Sequence, residues 1–160
     1  MKKGPEQILT KGLLAGFAEG KILKTDRGGF SVKSSHFVEN GAIYHDEWIA
    51  GQLGGGQELV EVGGERFTRL YAGGVIKSEE LLELGISEKQ VAAYLISKLK
   101  ELGDQTRLFV ACLPEPDGDW EYSYMPKGVV QSIRLHQGLE RIDYKNKMVF
   151  AHAFLLSPIK

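Results

Sequence analysis

Between Gly56 and Ile76 the sequence GQELVEVGGERFTRLYAGGVI alternates polar and apolar residues on either side of a Gly63-Gly64 pair. A period of two sends successive side chains to opposite faces of a strand. A two-residue glycine turn closes two such strands into a tight hairpin. Glu58, Val60 and Val62 share one face of the first strand, and Phe67, Arg69 and Tyr71 share one face of the second. Glu58 and Arg69 thus interrupt otherwise apolar faces, as rim residues or halves of ion pairs do. A lone ribbon of two strands is marginal in water, so the hairpin commits the chain to a larger antiparallel sheet or to a helix packed on its apolar face.

The neighbouring segments supply both. Gly28 to Lys33 reads as a short strand with Phe30 and Val32 inward, and Ala42 to Ala50 as a strand after the Asn40-Gly41 reversal signal. Gly51 and the run Gly54–Gly56 read as a bend or bulge, because no Lys-Ser/Thr follows and no helix opens there as a phosphate loop requires. Arg107 to Pro114 is apolar on both faces, the pattern of a central strand. Asp119 to Tyr124 sets Trp120, Tyr122 and Tyr124 on one face, Val129 to Leu135 reads as a further strand, and Leu139 to Leu156 as a hairpin turning at Lys145-Asn146.

Two main helices accompany these strands. Pro5 to Leu23 opens with proline in its first turn, where the missing donor costs nothing, and repeats glycine at Gly12, Gly16 and Gly20. That spacing fits close approach to another element, or a weak helix that frays at Gly20. Ser87 to Leu102 carries the capping-box pair Ser87 and Gln90, then an apolar stripe of Val91, Ala92, Leu95, Leu99 and Leu102. A shorter turn of helix starts near Ser78 and stops at Gly85. The expected fold is one α+β domain over residues 1–160, with a curved antiparallel sheet of about seven to nine strands and two main helices. The segment ELVEVGGERF (58–67) is echoed by ERIDYKNKMVF (140–150), with one residue of slippage after the turn. Either the domain holds two related β-units, or two amphipathic hairpins look alike.

Composition narrows the function classes. Net charge is −1 and the pI about 6.4, with no basic stripe of the sort that tracks phosphates, so no direct nucleic-acid partner is expected. Cys112 is the single cysteine, which rules out a disulfide within the chain and a zinc site built on cysteine pairs, and its apolar setting fits an inert buried thiol. No apolar run is long enough for a membrane helix. The opening MKKGPEQILTKGLL lacks the unbroken apolar core of a secretory signal, so a cytoplasmic location without membrane association is expected.

The residues Tyr44, Asp46, Gly51, Gly56-Gln57-Glu58, Gly63, Tyr71 and Gly73, with Trp120 and the Gly138-x-Glu140-x-Ile142 segment, resemble a prokaryotic family of unknown function. Members of that family occur alone or C-terminal to helix-turn-helix modules in bacterial transcriptional regulators. The likeness spans most of Leu13 to Ile159. Phe67 to Tyr71 is less aromatic than the family pattern, and the last strand ends Leu-Leu-Ser rather than in glycines. The resemblance implies a regulator-linked role without supplying an activity.

Acids, histidines and aromatics are the candidate functional residues. His45-Asp46-Glu47 looks like a metal cluster, but on a strand His45 and Glu47 share a face and Asp46 takes the other, so the trio does not converge and no metal is expected. His36, His136 and His152 are scattered, and His152 on an apolar strand reads as a satisfied core histidine. No nucleophile elbow or dinucleotide fingerprint is present and no cofactor is expected. Three readings follow. The first is a non-catalytic domain binding a small molecule or a protein partner, with Tyr44, Trp48, Glu58, Tyr71, Trp120, Tyr122 and Glu140 as contact residues. The second is a small hydrolase or isomerase using Asp46, Glu58 and Glu140, since a close carboxyl pair raises one pKa. The third is a structural homodimer formed through an exposed sheet edge or face.

Overall fold

The computed structural model describes residues 4–18, 21–49, 51–103 and 107–160. Gly20 and the side chain of Phe17 lie outside the described residues. Nine strands form one antiparallel sheet: β1 (Leu23–Arg27), β2 (Phe30–Glu39), β3 (Ala42–Ile49), β4 (Leu53–Val62), β5 (Glu65–Val75), β6 (Cys112–Asp117), β7 (Trp120–Val130), β8 (Leu135–Tyr144) and β9 (Lys147–Ile159). Their spatial order is β1-β2-β3-β4-β5-β9-β8-β7-β6. Two meanders therefore meet at their last strands, and β5 pairs with β9 from Arg66↔Ile159 to Val75↔Phe150. Helices α1 (Pro5–Leu13), α2 (Ser78–Glu83) and α3 (Glu88–Leu102) account for the small helical share. Among the described residues no helix is long and apolar enough to cross a membrane.

Turn chemistry fixes the hairpins. Asn40-Gly41, Gly63-Gly64 and Lys145-Asn146 all have positive φ at both positions, the geometry whose twist matches paired strands. The β8–β9 hairpin repeats the register of β4–β5 with one extra residue. Ile142 faces Phe150 but Asp143 faces Met148, which leaves Val149 as a bulge, fully buried. Beyond the bulge the side-chain faces realign. Glu58 faces Arg69 in the first hairpin and Glu140 faces His152 in the second.

One face of the sheet is buried beneath the helices. Tyr44, Val60, Phe67, Tyr122, Tyr124, Ile142, Phe150, Phe154 and Leu156 join Ile8, Leu9, Val91, Leu95 and Leu99 in the core. The opposite face leaves Leu70, Met125, Leu139 and Leu155 exposed. Helix α3 carries its capping box as expected, Ser87 Oγ accepting from the Gln90 N–H while the Gln90 side chain accepts from the Ser87 N–H. Helix α1 is pinned to its end by Thr10 Oγ1, which donates to the Gly103 carbonyl at 2.8 Å. The glycine spacing on α1 reflects close approach: a Cβ on Gly12 would overlap the Tyr44 ring, and one on Gly16 would sit 2.5 Å from Ser35 Oγ.

Several expectations need correction. The first helix stops at Leu13 and runs into a π-helical turn (Leu14–Ala18), while Leu23 begins β1, an exposed edge strand. Phe30 points outward and is exposed, because Ser35 and Phe37, of opposite parity, face the core side. Gly54–Gly56 is not a bend but part of β4, in unbroken register with β5 and, at Gly55 and Gly56, with β3. Arg107–Pro114 is not a central strand. Arg107 and Leu108 take positive φ in a tight turn bridged between Arg107 and Val110, and strand β6 begins only at Cys112, at the sheet edge. Its apolarity reflects Leu108, fully buried, plugging the core. Val129–Leu135 is likewise split, by a 3-10 turn at Gln131–Ile133 between β7 and β8.

Candidate functional site

The sheet face under α1 and α3 is not purely apolar. Asp46, Glu58, Arg69, Arg107 and Glu140 are all buried there, each at most 5% exposed. Strand alternation explains the placement. Asp46 on β3 lies directly opposite Glu58 on β4, which lies opposite Arg69 on β5. Glu140 on β8 comes in from the second meander, and the tight turn after α3 brings Arg107 over it.

The charges form a connected network. Arg69 Nη1 donates to Glu58 Oε2 at 2.6 Å and Nη2 to Glu140 Oε2 at 3.1 Å. Arg107 Nη2 pairs with Glu140 Oε1 at 2.7 Å. Tyr44 donates its hydroxyl to Glu58 Oε1 at 3.2 Å, and Tyr122 to Glu140 Oε1 at 2.9 Å. Tyr44 and Tyr122 hold matching places in the two meanders, each facing the residue two beyond its acid, Val60 or Ile142. The Arg69 guanidinium also lies over the rings of Phe154 (4.7 Å), Tyr71 (5.3 Å) and Tyr124 (5.6 Å), whose electron-rich faces attract the buried cation. Removing charges from water is costly, and only such dense pairing offsets it.

Asp46 is treated differently. Burial, followed by the neighbouring Glu58 charge, pushes its carboxyl up to about 8, against the opposing pull of the Tyr71 hydrogen bond and Arg69. Tyr71 reaches both of its oxygens at 3.2 Å. Glu140 goes the other way: burial raises its pKa, but Arg107 and Arg69 outweigh that and hold it at about 2. His152, with Nδ1 4.0 Å from Glu140, is lowered to about 4 because burial disfavours its charged form. Near neutrality the site therefore combines a protonated carboxyl, a neutral imidazole and balanced ion pairs.

These groups line a cavity of about 230 Å³ between the sheet and the helices. Leu13, Trp48, Leu95, Leu99 and Phe150 supply apolar wall, with Gly51, Gln52, Gly54, Gly55, Gly73 and Gly74 also lining it. Gly73 and Gly74 allow this close passage: each has φ near +140°, and a Cβ would strike the carbonyl of Ala151 or of Gln52 (φ +137° and +147°). The corresponding place in the second meander is closed. Tyr124 and Phe154 occupy the registers that Asp46 and Tyr71 hold in the first, and they stack with ring centres 4.7 Å apart. Tyr124 then donates to the Leu108 carbonyl at 3.0 Å.

Of the residues picked from sequence, Tyr44, Asp46, Trp48, Glu58, Tyr71 and Glu140 all line this cavity. Tyr122 holds Glu140 from within the core. Trp120 lies elsewhere on β7, stacked on Tyr94 of α3 at 4.8 Å and against Tyr144 at 4.6 Å. Glu58 and Glu140 are not a free carboxyl pair, because Arg69 bonds to both; the raised acid is Asp46. Arg107 and the cavity role of His152 escaped sequence reasoning. A lone arginine or histidine inside an apolar stretch was the available signal. His45 and Glu47 meet at 3.5 Å and Asp46 turns inward from them. Among the described residues no group of three or more His, Cys, Asp and Glu is gathered for a metal ion. Cys112 is half-buried, and burial raises its thiol pKa.

Of the residues behind the expected family resemblance, Tyr44, Asp46, Gly51, Glu58, Tyr71, Gly73 and Glu140 line the cavity, whereas Gly56, Gln57, Gly63, Trp120, Gly138 and Ile142 do not. In comparisons with known proteins the chain matches no family model, no curated protein and no solved structure.

Proposed function

We propose that this chain is a non-catalytic, sensor-like domain that binds a small molecule in the cavity between α1, α3 and the β3–β5 face. The carrying observation is that buried ionisable side chains converge on an apolar-walled opening, where a solid core would serve stability better. The single open half supports the reading: Asp46 and Tyr71 line space in one meander where Tyr124 and Phe154 fill it in the other. The repeated hairpin register fits two related β-units, of which only the first kept a site. A resemblance to proteins met beside DNA-binding modules accords with sensing.

The test is a thermal-shift screen of metabolites on the native chain, repeated on Trp48→Ala, which strips one cavity wall. A compound that raises Tm in the native chain and loses that effect in the variant is the expected result. No stabilising compound, or hits indifferent to Trp48, overturns the reading.

A second reading is favoured by one observation. A carboxyl raised to about 8 beside a second carboxylate is how enzymes prepare a general acid, so Asp46 with Glu58 and Glu140 fits a small hydrolase or isomerase. Against it stand the guanidinium clamps on Glu58 and Glu140, which occupy the groups that would act as base. Turnover of any compound that binds, abolished in Asp46→Asn with binding retained, would establish it over the first.

A further inference from the structure

We infer that the cavity takes a small organic cation, an ammonium group on a compact apolar body, with Asp46 as its counterion. This rests on the binding reading above and names the ligand class. Three observations carry it.

The first is the charge count. Three carboxyl groups, Asp46, Glu58 and Glu140, line the cavity with only two guanidiniums, Arg69 and Arg107. Arg69 pairs with both glutamates and Arg107 with Glu140, so the two cations are taken up by the two glutamates. His152 lies 4.0 Å from Glu140 and against the Tyr71 ring. Among the described residues no cationic side chain is ion-paired with Asp46, and the third carboxyl is the one left unmatched.

The second is placement. Asp46 stands in the cavity floor: its same-face neighbours on β3, Tyr44 and Trp48, line the space with it, as do Ser35 and Glu58, which face it from β2 and β4. The Tyr71 hydroxyl lies 3.2 Å from both Asp46 oxygens. One hydroxyl proton thus serves two oxygens, whereas an ionised carboxylate offers about four acceptor positions and an ammonium brings three donors.

The third is the wall. Tyr44 and Trp48 flank Asp46 on its own strand and Tyr71 bonds to it, and aromatic faces attract a cation. Leu13, Leu95, Leu99 and Phe150 suit an apolar body, and about 230 Å³ lies at the small end of ligand sites. With no group of three or more His, Cys, Asp and Glu gathered for a metal among the described residues, an organic cation fits better than a metal ion.

Binding is an exchange of cations. Burial, then the Glu58 charge, keeps a proton on Asp46, with Glu47 adding to the repulsion and Tyr71 and Arg69 opposing it. The incoming ammonium takes the place of that proton, which leaves to solvent, so the buried charge stays balanced.

The experiment uses the native chain and Asp46→Asn at about pH 8, where an alkylammonium is still charged. Three ring-matched probes, cyclohexylamine, cyclohexanol and cyclohexanecarboxylate, are followed by titration calorimetry. The amine is expected to bind the native chain at least about tenfold more tightly than either other probe. Asp46→Asn, its fold verified by thermal unfolding, should lose at least about tenfold in amine affinity while keeping that for cyclohexanol. If cyclohexanol or the carboxylate binds the native chain as tightly as the amine, the inference about ligand class is overturned while the cavity remains a binding site. The same holds if Asp46→Asn weakens the amine no more than it weakens cyclohexanol. If none of the three binds the native chain up to its solubility limit, the binding reading falls and the inference with it.

Discussion

Replacing Asp46 with asparagine should make the protein more stable, by an amount that grows with pH. The folded chain holds this carboxyl at about 8, whereas in the unfolded chain it titrates near the ordinary aspartate value of about 3.9. A folded pKa above the unfolded one means that folding takes up a proton throughout the interval between them. The group's contribution to stability is complete below the unfolded pKa and is lost as pH rises towards 8. The loss runs at about 1.4 kcal/mol per pH unit, or roughly 2–3 kcal/mol between about pH 5 and pH 7. Asparagine needs no proton, its amide oxygen still accepts from Tyr71, and its volume is the same. Urea denaturation of both proteins across that range is the assay. With an m-value of about 2 kcal/mol per M, the variant's midpoint should gain about 1 M over the native chain between the two pH values. A stability difference that stays constant with pH would refute the reasoning, since it would show Asp46 titrating alike in both states. A positive result would also explain why the site is held at a cost: an acid that destabilises its own fold near neutrality is the kind of residue that activity or binding preserves.

Arg69→Met should cost about 3–5 kcal/mol in urea unfolding, because Glu58 is then left buried with only Tyr44 while Glu140 keeps Arg107 and Tyr122. Adding Glu58→Gln should restore about half of that loss or more, and a strictly additive double variant would contradict the shared network. Gly12→Ala should lower Tm despite alanine's helix propensity: the new methyl overlaps the Tyr44 ring, and overpacking of about 1–3 kcal/mol exceeds the gain of about 1 kcal/mol. Unchanged or raised Tm would mean that α1 can shift away from β3 freely.

What could be read beforehand was whatever local chemistry determines. Asn40-Gly41 and Gly63-Gly64 announce their turns because few residues accept positive φ, and Ser87 with Gln90 announces a helix start because the two side chains satisfy each other's backbone. The echo between the two hairpins was legible down to its one-residue slip, which is the Val149 bulge. Tertiary context decided the rest. Arg107 to Val110 reads as strand from its apolar neighbours, yet Leu108 is buried as a plug and the chain turns there to carry Arg107 onto Glu140. Glu58 and Arg69 stood out as charges on apolar faces. That one arginine would bridge Glu58 to Glu140, 71 residues beyond it, follows only from the meeting of β5 and β9.

That meeting bears on how the chain assembles. β5 and β9 are joined through the whole intervening helical segment and second meander, so their pairing closes late and at the largest loop entropy in the sheet. Each half carries its own ion pair, Glu58 with Arg69 in one and Arg107 with Glu140 in the other, and the Arg69–Glu140 contact crosses between them. Docking of the two meanders therefore brings together two pairs that are each already neutral, so the seam closes without carrying an unmatched charge under the helices.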